Sequence, residues 1–164
     1  MVAKTSALAV SNFILDRGDD EGIPIRHLKL QKLLYFCYAW FAGNKHEELF
    51  SEDIEAWKLG PVVREVYLEF KDCGSRPIHT RAQSYDWDND RYVEPTIDRD
   101  LQSELLPVWN EYKRKTDAWL VEATHADSEP WAMLVRQVGQ ADKRQIPFSL
   151  IERVYSRKVA GIGA

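Results

Sequence analysis

Cysteine is scarce in this chain: 164 residues carry two, Cys37 and Cys73. Two thiols, one of them inside an apolar stretch, make no disulfide framework, so a reducing, cytoplasmic setting is expected. No run of 18 apolar residues occurs, which leaves no segment to cross a bilayer as a helix and no membrane partner expected. The opening residues lack the long apolar region and small-residue cleavage signal of a secretory leader. Also missing are a glycine-rich phosphate loop, an HExxH, a paired CxxC and a G-x-S-x-G elbow. The four histidines, His27, His46, His79 and His125, lie in separate segments. No catalytic constellation, metal site or cofactor is therefore expected. Positive charge is short as well: 22 Lys and Arg against 26 Asp and Glu give a net charge of −4. That balance argues against a protein whose main business is a phosphate backbone.

Hydrophobic residues make up 45% of the chain and charged residues 29%, with six Trp, seven Tyr and six Phe. This is a globular balance, and the length suits one domain over 1–164. Charge is distributed unevenly. Asp86 to Glu104 carries seven acidic and two basic residues, and Arg136 to Lys158 carries six basic and two acidic.

The periodicity is mostly helical. Leu30, Leu33, Leu34, Cys37, Tyr38 and Phe41 recur at three- and four-residue steps, and Leu33 to Phe41 holds no formal charge. A surface helix would show a solvated stripe there, so a buried central helix over about 28–42 is expected, stopped by Gly43-Asn44. The fold class is mainly α, a single-domain helical bundle, with at most small β elements near 54–57 and 78–93. Gly60-Pro61 reads as a structural turn that opens a helix, with Val63, Val66, Tyr67 and Phe70 as its apolar stripe. Pro107 should kink or divide the helical pattern from Leu101 to Tyr112. Asp117 to Ala123, Trp131 to Val138 and Phe148 to Tyr155 read as further helices.

His125, in Ala-Thr-His-Ala-Asp-Ser-Glu-Pro-Trp, is the best single candidate for an acid or base. Its neighbours Thr124, Asp127 and Ser128 equally suit capping and turn roles. Two alternatives stay open from the residues alone. One is a small hydrolase-like enzyme centred on His125; the other is an acidic helical DNA-associated regulator, which would need the basic residues from Arg136 to Lys158 gathered on one face.

Several blocks together carry a recognisable pattern. Leu28-Lys29-Leu30-Gln31-Lys32-Leu33-Leu34-Tyr35-Phe36 resembles the opening of the Panacea domain, the phage-associated GepA-like or SocA-like family. Ile54-Glu55-Ala56-Trp57, Leu59-Gly60-Pro61-Val62-Val63 and Val66-Tyr67 resemble its "W-x-x-GPV" turn and "VY" helix. Trp119 to His125 with Pro130-Trp131 resembles its "TH…PW" segment. The likeness spans about residues 5–157. It implies an antitoxin of a toxin–antitoxin system with no chemistry of its own. Such a protein neutralises a cognate protein toxin, encoded nearby, by direct binding. In some relatives it acts as a proteolytic adaptor that hands the toxin to an ATP-dependent AAA+ protease. If the blocks form a groove, Lys29, Lys32, Tyr35, Trp57, His125 and Trp131 are its expected partner-binding lining.

Overall fold

In the computed structural model, which describes residues 3–161, the chain forms seven α-helices and two β-hairpins. In order these are α1 (Ala7–Glu21), α2 (His27–Lys45), β1 (Ile54–Trp57), β2 (Gly60–Val63), α3 (Arg64–Phe70), β3 (Ser84–Asp86), β4 (Arg91–Val93), α4 (Arg99–Tyr112), α5 (Asp117–His125), α6 (Pro130–Val138) and α7 (Phe148–Val159). The mainly helical bundle with small β elements is what the patterning anticipated.

α2 is the axis of the molecule. Every residue from Lys29 to Ala39 is buried, because α1, α4, α5, α7 and β2 all pack on it. Its hydrophobicity on all sides is thus the mark of an enclosed helix, and leucine, phenylalanine and tyrosine fill the space between neighbours. The helix does not stop at Gly43. A Cβ there would lie 2.6 Å from the carbonyl carbon of Tyr155, so the missing side chain lets α7 approach α2 closely. The stop is His46, whose left-handed φ of 58° lets its N–H reach the carbonyl of Ala42.

Gly60-Pro61 does not open a helix. Both residues belong to β2, which pairs antiparallel with β1 in the register Ala56↔Pro61 and Trp57↔Gly60. Proline is tolerated because Ala56 turns its N–H and carbonyl the other way, to Arg144 and Lys143. The absent Pro61 N–H therefore removes no ladder bond. The helix begins three residues later, at Arg64. Its inward residues are Val66 and Phe70, whereas Tyr67 is 38% exposed.

Pro107 leaves α4 continuous. It sits on the exposed side, and the carbonyl of Ser103, which it cannot bond, also faces solvent, while Leu105 and Trp109 on the other side are buried. An acceptor on the exposed side is open to solvent, so its loss of a partner costs too little to break the helix. The expected helices after Asp117 are all present. Thr124 is buried within α5, where its hydroxyl donates to the carbonyl of Val121, and no side chain caps α6.

Candidate partner-binding groove

Three polar residues of α2 are buried, and each holds a neighbouring element in place. The Gln31 amide clamps Val63, accepting its N–H at 2.9 Å and donating to its carbonyl at 3.2 Å. This fixes the end of β2 where α3 begins. Lys32 Nζ donates to the carbonyl of Pro61 at 3.0 Å. Lys29 Nζ donates to the carbonyls of Lys113 and Lys115 at 2.7 and 2.9 Å, placing a cation where α4 ends and its carbonyls are unpaired. Lys32 has no carboxylate partner among the described residues, and burial pulls its ammonium down to about 7.

The clamped β1–β2 hairpin presents Trp57. Its indole N–H donates to Glu55 at 2.6 Å, and its carbonyl accepts the Trp131 indole N–H at 2.8 Å. Lys143 Nζ lies 4.3 Å from the Trp57 ring centre, and Tyr67 packs at 4.9 Å. Trp131 in turn stacks flat on His125, with centroids 3.8 Å apart and planes 4° from parallel. Burial, reinforced by the nearby Lys32 charge, holds the His125 imidazole below its usual range. Its Nε2 is buried without a hydrogen-bond partner, and no carboxylate bonds to the ring among the described residues.

A groove of about 650 Å³ opens beside Trp57, with Leu28, Leu59, Val62 and Tyr67 as its apolar walls and Arg26, His27, Lys58, Lys71 and Asp117 among its polar ones. His27 meets Tyr67 edge-on at 5.2 Å, and burial lowers its pKa. Leu59, at the hairpin turn, is 54% exposed.

Of the six residues expected to line a groove, the structure brings Lys32, Trp57, His125 and Trp131 together around the β1–β2 hairpin. Trp57 and the buried Lys32 line the groove, while the His125–Trp131 stack, joined to the hairpin through the Trp57 carbonyl, is not part of its lining. Lys29 is turned to the end of α4. Tyr35 is a core residue, 1% exposed, packed edge-on against Tyr155 at 6.3 Å. Sequence reasoning missed Leu59, Tyr67, Arg26 and Lys71. The one available signal was Leu59 itself, a large apolar residue in a two-residue turn. Three of the six basic residues from Arg136 to Lys158 are matched locally: Arg136 pairs with Asp127, Arg144 with Asp142 and Lys158 with Glu129.

The family model described as "Antitoxin SocA-like, Panacea domain" matches residues 30–132, which include α2 from Leu30 onward, the β1–β2 hairpin and the His125–Trp131 stack. The curated protein "Antitoxin SocA" of Caulobacter vibrioides (strain NA1000 / CB15N) is 36% identical over 135 residues, covering 81% of this chain and 72% of the relative. No solved structure matches. On both the family match and the extent of that identity, the chain belongs to the SocA-like antitoxin family that carries the Panacea domain.

Proposed function

We propose that this protein is an antitoxin that neutralises a cognate protein toxin by direct contact, and that the groove beside Trp57 is where the toxin docks. One observation carries this reading: within a family of antitoxins, the chain holds an open apolar groove whose central aromatic is fixed before any partner arrives. Trp57 is tied at its indole N–H and at its own carbonyl, so little side-chain freedom remains to be lost on binding. Half-exposed Trp and Tyr with a polar rim are the residue types that dominate protein interfaces.

Delivery of the toxin to an ATP-dependent protease is the finer form of the same proposal. An adaptor must hold two proteins at once and needs a second free surface. The β3–β4 hairpin offers one: Trp87 is 85% exposed and Tyr92 71%, and neither lines the groove. The test is co-expression with the product of the adjacent gene, scored for growth and for a co-purifying complex. Rescue with a complex supports the antitoxin reading, and loss of toxin that depends on an intact protease supports the adaptor form. A harmless neighbour that never binds would refute both.

A further inference from the structure

We infer that the segment received by the groove is acidic: a stretch of the toxin that seats an aromatic or aliphatic side chain against Trp57, Leu59 and Tyr67 and lays carboxylates along Arg26, Lys58 and Lys71. This rests on the reading of the groove as the toxin-docking site and adds the chemistry of what docks there.

Charge carries the argument. The chain is acidic overall, at −4, yet three cations stand around this opening against one carboxylate, Asp117. Arg26, Lys58 and Lys71 are all exposed, and none lies within 4 Å of a carboxylate among the described residues. Cations beside the groove's outer wall are paired instead, as Arg64 is with Glu55, so the contrast lies in the lining itself, where three exposed cations face one carboxylate. The lining therefore carries a net positive charge, and a cationic segment would be repelled from it. Its apolar walls add a second requirement, because carboxylates alone would leave Leu59 and Tyr67 facing water. A volume of about 650 Å³ suits a short peptide stretch with one large side chain inserted.

The test uses two labelled nonapeptides with the same Trp-Leu centre, one flanked by Asp and Glu and the other by Lys, titrated onto the full-length protein by fluorescence polarisation. The acidic peptide is expected to bind at least tenfold tighter, weakening with salt. The Arg26→Glu/Lys71→Glu double variant, altered only at exposed positions, should keep its melting temperature and invert the preference. Equal affinity for the two peptides, no binding of the acidic one, or indifference to the double substitution would overturn the inference. So would tighter binding of a DNA duplex than of the acidic peptide. Sedimentation equilibrium covers a further occupant: self-association of the wild type that disappears in Trp87→Ala would assign the groove to the acidic hairpin of a second copy and overturn the toxin segment. The two levels fail separately. A toxin complex with no acidic preference removes this inference and leaves the antitoxin reading. Acidic-peptide binding without any partner from the adjacent gene removes the antitoxin reading.

Discussion

Two hairpins of similar size sit in this fold, and they are held by opposite means. β1–β2 is tied to the rest of the molecule. Gln31 clamps Val63, Lys32 holds Pro61, Trp131 reaches the Trp57 carbonyl, and the 143–146 segment bonds to Ile54 and Ala56. β3–β4 is tied mainly to itself. Asn89 bonds Asp86, Tyr85 bonds Asp90, and Tyr85 packs edge-on against Trp87 and Tyr92. The aromatic residues of the first hairpin are positioned by tertiary structure; those of the second stand in solvent. Similar side chains in similar elements therefore differ in what they can do. Trp57 is fixed in place by hydrogen bonds, while Trp87 is exposed and held only by its own hairpin.

The largest expected effect is on the first turn. Gly60 has a φ of 111°, and a Cβ there would lie 2.7 Å from Thr124 Oγ1 and 3.1 Å from the end of Lys32. Gly60→Val should cost about 3 kcal/mol or more, seen as a melting-temperature fall of about 10 °C or as loss of soluble protein. Gly74, with φ 57° but nothing within 4 Å of a built Cβ, is the control. Gly74→Ala should cost only about 1 kcal/mol, for the backbone conformation alone.

Next come the two tryptophans. Trp57→Ala removes a half-buried ring and one of the Glu55 carboxylate's donors, leaving Arg64 as the other, and should destabilise by about 2 kcal/mol in urea unfolding. Trp87→Ala should stay within about 0.5 kcal/mol of wild type. Equal losses at the two sites would break the contrast between the hairpins.

A subtler prediction concerns Lys32. Folded, its ammonium gives up its proton near pH 7; unfolded, it keeps the proton to about 10.5. Between those values the unfolded chain binds more protons, so stability should rise with pH from about 7 to 10. His27 and His125, both lowered, make their contribution below that window. The buried phenols of Tyr35 and Tyr155, held above their usual range, oppose it only at higher pH, and the buried Cys37 thiol, pushed up to about 12, opposes it from about pH 9. Lys29 is also lowered by burial, so the comparison is between wild type and Lys32→Met. Urea unfolding at pH 7 and pH 9.5 should show a shallower rise in the variant, by about 1 kcal/mol or more. An identical slope would contradict the buried-ammonium account.

Elements whose residues face one environment throughout were legible in the sequence. α2 was readable because every side is apolar, and α7 because Ile151, Val154 and Tyr155 repeat on one buried side. Misreadings arose where a residue's local meaning is overruled by contacts distant in sequence. Gly60-Pro61 carries the signature of a helix start, but Gln31 and Lys32, about thirty residues earlier, hold it as a strand. Gly43 looks like a helix stop and is instead the place where α7 approaches. The site was readable as a set of blocks but not as a surface. Tyr35 and Tyr67 both fall on helical stripes, and only packing decides that one faces the core and the other the groove. The basic rim was hidden because Arg26, Lys58 and Lys71 belong to three separate segments.

The most direct test of the central claim is growth rescue by Leu59→Asp. Leu59 is exposed at the groove's turn, so the substitution places a charge on the apolar wall without entering the core. Co-expressed with the adjacent gene's product, this variant should fold with an unchanged melting temperature yet fail to rescue growth or co-purify, whereas Trp87→Ala should still form the complex. Full rescue and undiminished binding by Leu59→Asp would show that the toxin is met elsewhere on the molecule.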